Sequence, residues 1–281
     1  MKILLKIALI FLVLNIMLMN LTYASGNVGL SEVQMIKKIK KLDRKIDNRP
    51  DETKLYLERG YLKYCLQDYL SALDDYTKAE ELSPKDSNIF YSRGLVWFAR
   101  GDYKSAIEDY SKSIEIDKKN AKAYVGRGMA KLRLDDVEGA IQDYNTAIKY
   151  DKKSRDAYVN RGIARDMSGF TDGAIQDYQK AINLSGYSPD AYYNMGLTRM
   201  KIGENELAIE DFNMAIEQNP NYGMAYYKRG HAYLKLDNKQ SAKSDFQKAN
   251  ELLPGNKEIK QDLDDLTNEL ENMLKKQEIY Y

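Results

Sequence analysis

Between residues 53 and 256, small and aromatic residues return at a fixed spacing of 34 residues. Each period holds a glycine, an alanine 12 residues after it, and an aromatic residue four positions after the alanine. The glycines are Gly60, Gly94, Gly128, Gly162, Gly196 and Gly230; the alanines are Ala72, Ala106, Ala140, Ala174, Ala208 and Ala242; the aromatic residues are Tyr76, Tyr110, Tyr144, Tyr178, Phe212 and Phe246. This regularity indicates a repeat architecture, and each period predicts two helices with a short break between them.

The break between the two helices carries turn-forming residues. In the third period it is Leu134–Asp136, and in the second, fourth and fifth it contains Gly101, Gly169 and Gly203. Glycine tolerates the left-handed backbone that often ends a helix, so these positions suit a C-cap. A glycine inside a helix costs about 1 kcal/mol against alanine, so the in-phase glycines predict a packing role in which two helices approach closely. Gly128→Leu is therefore expected to destabilise the array.

The order of these residues within 34 positions resembles the tetratricopeptide repeat. The resemblance covers six consecutive units, at residues 53–86, 87–120, 121–154, 155–188, 189–222 and 223–256. Three units end with Pro84, Pro220 or Pro254, and the others have Lys118, Lys152 or Gly186 instead. The resemblance implies an all-α fold, a right-handed superhelical α-solenoid of helix-turn-helix repeats.

Repeat arrays need polar caps over their end units, and residues 25–52 and 257–281 are predicted to supply a capping helix each. Ser31 is the expected N-cap of the first, which runs to Asp47. The apolar stripes of the two helices are Val33, Ile36, Ile39, Leu42 and Ile46 in the first, and Ile259, Leu263, Leu266, Leu270 and Met273 in the second. The second stripe is heptad-like, so pairing with another chain is an alternative to capping.

The first capping helix is also basic. It carries Lys37, Lys38, Lys40, Lys41, Arg44 and Lys45. We interpret this as the solvated outer face of a cap, and contact with anionic lipid headgroups is the alternative.

The resemblance also implies where a partner binds, because the first helix of each such repeat lines a concave groove. The candidate groove residues are Tyr61, Tyr64, Tyr91, Leu95, Phe98, Met129, Ile163, Tyr193, Leu197, Met200 and Tyr227. Apolar and aromatic surfaces of this kind favour protein partners. The alternative is that some of these side chains are buried between neighbouring first helices. The Lys and Asn pair with which relatives clamp the C-terminal tails of chaperones is absent, so such tails are not expected partners.

A charged series departs from the family pattern. An arginine stands where the family has an apolar residue, and an aspartate precedes each second-helix aromatic residue. The series are Arg59, Arg93, Arg127, Arg161, Met195 and Arg229, and Asp75, Asp109, Asp143, Asp177, Asp211 and Asp245. A buried charge requires a partner, so we predict ion pairs that link helices. We favour pairing with the arginine of the next unit, with same-unit pairing nearly as well supported. An aspartate near Met195 is expected to lack a partner.

Composition limits the chemistry. The chain has one Cys and one His, which excludes an intrachain disulfide and a Cys/His zinc site. Cys65 is expected to be a small core residue, and His231 a groove or packing residue rather than a general base. A net charge of +1 gives no general attraction to nucleic acid. We therefore predict a non-enzymatic protein without cofactor or metal, whose partner is another protein or a peptide segment.

Residues 1–24 have the layout of a secretory signal peptide. Lys2 and Lys6 precede an apolar stretch at residues 7–21, and Thr22–Ala24 provides a small-residue cleavage site. An uncleaved anchor is the alternative, although 15 residues fall short of the roughly 20 that span a bilayer. The sequence thus predicts an exported bacterial scaffold, in the periplasm, outside the cell or on the inner membrane, that holds a peptide or helix of an envelope protein. The second hypothesis is a membrane-tethered, self-assembling protein.

Overall fold

The structure is a computed structural model, and it describes residues 30–278. These residues form fourteen helices. They are α1 (Glu32–Asn48), α2 (Thr53–Cys65), α3 (Tyr69–Leu82), α4 (Ser87–Ala99), α5 (Tyr103–Ile116), α6 (Ala121–Arg133), α7 (Val137–Tyr150), α8 (Arg155–Met167), α9 (Thr171–Ser185), α10 (Pro189–Lys201), α11 (Asn205–Gln218), α12 (Gly223–Lys235), α13 (Lys239–Leu252) and α14 (Lys257–Glu278). Each first helix begins at the first residue of a 34-residue unit, as the spacing predicts.

The chain divides into two compact units, one up to Asn160 and one from Arg161 onward. The first contains α1 to α7 and the start of α8, and the second contains the rest of α8 and α9 to α14. In both, the two helices of a repeat pack against each other, and the second helix packs against the first helix of the following repeat. The predicted all-α helix-turn-helix solenoid is therefore confirmed.

Side-chain caps explain where several helices begin. Ser31 accepts a hydrogen bond from the Gln34 backbone N–H, and the Gln34 side chain accepts one from the Ser31 N–H. This capping box confirms the predicted start of α1. Four second helices have an acidic or amide N-cap that accepts a backbone N–H bond, whereas α9 and α11 have none. The four caps are Asp68, Asp102, Asp136 and Asn238.

The turn inside each repeat always passes through the left-handed region at its fifteenth position. Gly101, Gly169 and Gly203 have φ values of 83, 83 and 86°, which confirms their C-cap geometry. The other three repeats place Gln67, Asp135 and Asp237 there, at φ of 60, 63 and 56°. A non-glycine residue in this region costs roughly 1–2 kcal/mol, so the turn geometry is imposed by packing of the flanking helices.

The in-phase glycines pack against the aromatic ring of the second helix. A Cβ atom on Gly128 would lie 2.7 Å from Cε1 of Tyr144, and one on Gly196 would lie 2.8 Å from Cε1 of Phe212. The six rings and the six alanines before them are buried. The glycines therefore have the packing role that the sequence predicts, since a side chain would occupy the space of the ring.

The core of the first unit continues into the N-terminal cap. Leu42 and Ile46 of α1 pack with Leu55 of α2 and with Tyr76 of α3 in one buried cluster. Cys65 is exposed at the end of α2, so its predicted burial is wrong. Cys65 is the last residue of α2, next to the turn that leads into α3.

The core of the second unit continues into the C-terminal cap. Ile259 and Leu266 of α14 are buried with Tyr227 of α12 and Phe246 of α13, and Leu263 and Leu270 pack beside them. Met273 remains exposed. Most of the predicted stripe thus covers the last repeat, which is the capping role.

The predicted signal segment and its alternative as an anchor fall outside the described residues. Within residues 30–278, no helix is both long and apolar enough to cross a membrane.

Candidate partner-binding surface

Six candidate groove residues remain partly exposed. Tyr61 and Tyr64 lie on α2, and Tyr91 and Leu95 lie on α4, all in the first unit. Leu197 and Met200 lie on α10 in the second unit. In each unit these side chains come from first helices, which the fold holds side by side because each second helix packs between successive first helices. They can therefore contact a partner.

The other five candidate groove residues are buried, so the assignment of direct partner contact is corrected for them. They are Phe98, Met129, Ile163, Tyr193 and Tyr227. Tyr193 shows the reason: its ring lies 5.9 Å from that of Phe212 and 5.0 Å from that of Tyr222. Apolar residues at helical spacing can pack in the core or line a groove. The spacing alone does not distinguish these two roles.

Three of the partly exposed candidate groove residues in the first unit are tyrosines, and two of them also pack against rings of second helices. The rings of Tyr64 and Tyr69 lie 5.9 Å apart, and those of Tyr91 and Tyr110 lie 6.0 Å apart. Burial raises the pKa of Tyr91 to about 12, and the negative charge of Asp156 adds to this shift. Tyr91 thus stays neutral at physiological pH. The partly exposed rings of Tyr61, Tyr64 and Tyr91 offer aromatic surface, which suits a peptide interface.

Two charged residues of first helices, Arg133 and Asp156, were not among the candidate groove residues predicted from the sequence. Arg133 of α6 lies over the rings of Phe98 and Tyr103, 5.7 and 5.6 Å from their centroids. Asp156 of α8 lies within electrostatic reach of Tyr91 on α4. The resemblance places the second and thirteenth positions of a unit on the groove, and these are Asp156 and Arg133 in their units, so the signal was present in the sequence.

The second unit places a charged pair near its exposed apolar residues. Lys201 of α10 donates to the backbone oxygen of Asp166 at 2.9 Å and to its carboxylate at 3.2 Å. Leu197 and Met200 lie on the same helix as Lys201. An apolar patch with a polar edge is the ordinary anatomy of a protein interface.

The arginine–aspartate pairs form within repeats, so the favoured pairing between units is wrong. Arg59 donates to Asp75 at 2.6 Å, and Arg93 Nε donates to Asp109 at 2.8 Å. The same pairs occur at Arg127–Asp143, Arg161–Asp177 and Arg229–Asp245, at 2.7, 2.6 and 2.6 Å. Each aspartate is buried between the two helices of its own repeat, so the nearest arginine is the one on the partner helix.

The arginines also reach the preceding repeat or cap. Arg59 donates to Asp43 of α1 at 2.7 Å, and Arg127 donates to Ser111 of α5 at 3.1 Å. Arg229 donates to Asn213 of α11 at 2.6 Å. One guanidinium thus binds two elements, which uses its planar fork of donors. This supports a role in fixing the stacking of neighbouring repeats rather than in ligand binding.

In the repeat that has Met195 instead of arginine, an arginine one turn later on the same helix pairs with the aspartate. Arg199 donates to Asp211 at 2.8 Å, so the expectation of an unpaired aspartate is wrong. Lys63, Lys131 and Arg165 occupy the equivalent position in other repeats and also contact the aspartate. Burial raises the pKa of Asp211 to about 7, because one cation does not offset the desolvation of its carboxylate.

His231 belongs to the contact between the last repeat and its cap. Its Nε2 lies 3.1 Å from Oδ2 of Asp262, and Tyr227 donates to the same oxygen at 2.6 Å. Burial lowers the pKa of His231. A small cavity of about 230 Å³ adjoins these groups, lined also by Phe246 and Glu269. Asp262 therefore ties α14 to α12, and His231 is a packing residue.

No group of three or more His, Cys, Asp or Glu side chains among residues 30–278 is arranged to hold a metal ion.

Sequence comparisons agree with the geometry. Profiles described as tetratricopeptide repeat match residues 189–222, 121–154 and 225–256, and one described as TPR repeat matches residues 94–135 and 167–203. Together these matches cover more than half of the chain. The chain is a member of the tetratricopeptide repeat family, with multiple repeats stacked as helix-turn-helix units. No curated protein sequence matches it significantly.

Solved structures share the fold. The APC/C Cut9–Hcn1 assembly contains a chain that is 15% identical, with a TM-score of 0.72 over 84% of this chain and 46% of that one. This chain thus spans about half the length of that relative. MamA is 29% identical, with a TM-score of 0.53 over 60% of this chain and 92% of its own. YrrB, described as having an unusual peptide-binding site, is 22% identical, with a TM-score of 0.51 over 64% and 93% of the two chains.

Proposed function

We propose that this protein is a non-enzymatic scaffold that binds a peptide segment or a helix of another protein on the exposed face of its first helices. The observation that carries the proposal is the cluster of partly exposed tyrosines and Leu95 on α2 and α4. Membership of a repeat family that serves as interaction scaffolds supports the same class of function. The peptide-binding site of YrrB is a property of that protein, and at 22% identity the likeness concerns the fold.

Recognition would rest on shape and apolar contact with a polar edge. Tyr61, Tyr64 and Tyr91 supply large rings of low conformational entropy, so a bound segment can gain contact area at small entropic cost. Arg133 adds a cation beside Phe98 and Tyr103, and Asp156 adds an anion near Tyr91, so both can orient the polar groups of the segment. No covalent step is involved.

The partner is proposed to be an envelope protein. The support is the amino-acid pattern of residues 1–24, with its two lysines, apolar stretch and small-residue site. The scaffold would then act after export, in the periplasm, outside the cell or at the inner membrane.

Site-specific photocrosslinking in the host tests the proposal. A photoreactive phenylalanine analogue replaces Leu95 or Tyr91 in the full chain, and the control chains carry it at Leu134 or Tyr150. The control residues are exposed apolar side chains of the same unit, at a turn and at a helix end. We expect the chains with the analogue at Leu95 or Tyr91 to crosslink to the same partner protein, and the control chains to give no crosslink.

The two parts of the proposal can fail separately. If no position gives a crosslink, or if the controls give the same products, then the first-helix surface is not the interface. If the crosslinked protein is cytosolic, then the interaction stands and the envelope assignment is wrong. Mass spectrometry of the crosslinked product distinguishes these results.

A further inference from the structure

The outer face of α1, comprising Val33, Ile36, Lys37, Lys40, Lys41 and Arg44, combines exposed apolar and basic side chains. Val33 and Ile36 are 60% and 45% exposed, although they continue the apolar spacing of the buried Leu42 and Ile46. The basic residues of this face are exposed as well. We propose that this face docks on the surface of an anionic lipid bilayer, with α1 lying in the plane of the headgroups.

The helical spacing brings these residues together. Val33, Ile36, Lys37, Lys40 and Arg44 stand at offsets that share one side of an α-helix, while Met35, Ile39 and the two buried residues face α2 and α3. An in-plane membrane helix has this composition: a few apolar side chains that enter the headgroup boundary, and lysines and arginines around them.

The charge of the outer face is not neutralised by the acids of the helix. α1 contains six basic and three acidic residues. One acid, Asp43, is turned toward the protein and paired with Arg59 at 2.7 Å. Of the basic residues, Lys38 is also used internally, in a pair with Glu58 at 2.6 Å. Among the acids, Asp47 and Glu32 remain exposed beside the four cations of the outer face. Net positive charge therefore faces outward, and anionic lipid is its complement.

The position of α1 in the chain favours a membrane over a soluble acidic partner. The apolar stretch at residues 7–21 ends nine residues before Leu30, the first residue that the structure describes. A bilayer that receives or releases this stretch lies within reach of α1. The opposite cap provides a contrast, because α14 carries more acidic than basic residues and is unsuited to an anionic surface.

Vesicle flotation of the full chain tests the inference, with vesicles of phosphatidylcholine alone or mixed with phosphatidylglycerol. The test variant combines Lys37→Glu, Lys40→Glu and Lys41→Glu. The matched control combines Lys149→Glu, Lys152→Glu and Lys153→Glu, which reverses the same number of exposed charges elsewhere in the first unit. Each lysine near the surface contributes about 1 kcal/mol, so the gain in binding that phosphatidylglycerol gives the wild type should fall at least about tenfold in the α1 variant only.

A local probe excludes binding through residues 7–21 alone. Cys65 is the single cysteine, so Cys65→Ser with Ile36→Cys allows a polarity-sensitive fluorophore to be placed on the outer face, and Lys152→Cys serves as the control position. The probe at position 36 should shift its emission to the blue on vesicles that contain phosphatidylglycerol, while the control probe should not. Equal flotation of the two charge variants, or an unshifted probe at position 36 in vesicle-bound protein, would overturn the proposal.

Discussion

Gly128 of α6 lies against the ring of Tyr144 on α7, in a contact that has an equivalent in all six repeats. The residue that precedes each aromatic residue in the sequence is a buried aspartate, and it is paired with an arginine of the first helix. Packing and charge pairing are thus adjacent at one point of each repeat. Single substitutions there separate the two contributions.

Gly128→Ala should destabilise the protein by about 1–3 kcal/mol, because the new Cβ would lie 2.7 Å from the Tyr144 ring and force the two helices apart. Gly255→Ala is the control, since nothing lies within 4 Å of a Cβ at that position. Urea unfolding measures both. Equal stability of the two variants would show that the helices separate without cost and that the glycine has no packing role.

Asp211 should make stability depend on pH. Its pKa is about 7 in the folded protein and near 3.8 when unfolded, so the folded state favours the protonated form. The relative stability that this group confers is fully present below about pH 4 and is lost as the pH rises toward 7. Compared with Asp211→Asn, the wild type should therefore lose stability over this range. Thermal unfolding across the range measures the difference.

The control for this dependence is Glu217→Gln, which removes an exposed carboxylate of the same helix that does not contribute to the raised pKa of Asp211. A second variant, Met195→Arg, restores the guanidinium found in the other repeats and should weaken the dependence. If the stability of the wild type changes with pH in the same way as that of Asp211→Asn, then burial does not raise the pKa of the Asp211 carboxylate.

At the scale of elements, the six repeats are natural variants of one another. The residue before each second helix is a capping Asp or Asn in four repeats, but it is Phe170 or Glu204 before α9 and α11. The side chain of Phe170 is 67% exposed. Phenylalanine at this position therefore leaves α9 without a side-chain cap, and its ring is not buried in exchange. Both helices nevertheless begin at the same position of the repeat as the capped ones, because contact with neighbouring helices holds them in place.

Phe170→Asp should therefore stabilise the protein by about 1 kcal/mol, since the new carboxylate can accept the N–H bond that the other caps accept. Asp136→Ala should destabilise it by a similar amount, through loss of the bond from the Gly139 N–H. Thermal denaturation of both variants checks the pair. The account fails if Phe170→Asp lowers the melting temperature, which would reveal a contact of the phenyl ring that outweighs the cap.

The starts of the helices could be predicted from the sequence because the same pattern occurs in six repeats. The series of Gly60, Ala72 and Tyr76 places both helices of a repeat and the contact between them. The partner of Arg59 was not predictable, since the helix that carries Asp75 packs against two first helices, α2 and α4, and spacing along the chain does not rank them. Burial of Phe98 and exposure of Leu95 were equally hidden, because both continue one apolar stripe.

At the scale of the whole molecule, both ends of the array are covered by a helix. α1 buries Leu42 and Ile46 against the first repeat, and α14 buries Ile259 and Leu266 against the last. A repeat contacts only its neighbours, so the stability of an end unit depends on its cap. The two caps differ in charge, α1 being basic and α14 acidic, which the net charge of +1 conceals.

Removal of residues 257–281 should therefore expose the last repeat. Tyr227 and Phe246 would lose their contacts with Ile259 and Leu266, and Tyr227 would lose its hydrogen bond to Asp262. Each buried aliphatic side chain contributes about 2–5 kcal/mol, so the truncated chain should unfold with a loss of more than about 3 kcal/mol and bind a hydrophobic dye.

The matched control removes only residues 275–281, which leaves the buried part of α14 in place. That chain should keep the wild-type melting temperature and bind no dye. If both truncations behave alike and remain as stable as the full chain, then α14 is not a cap. Its apolar stripe would then be free to pair with a second chain, and sedimentation of the full protein would show a dimer that Leu266→Asp abolishes. A monomer whose stability falls only in the longer truncation supports the capping role.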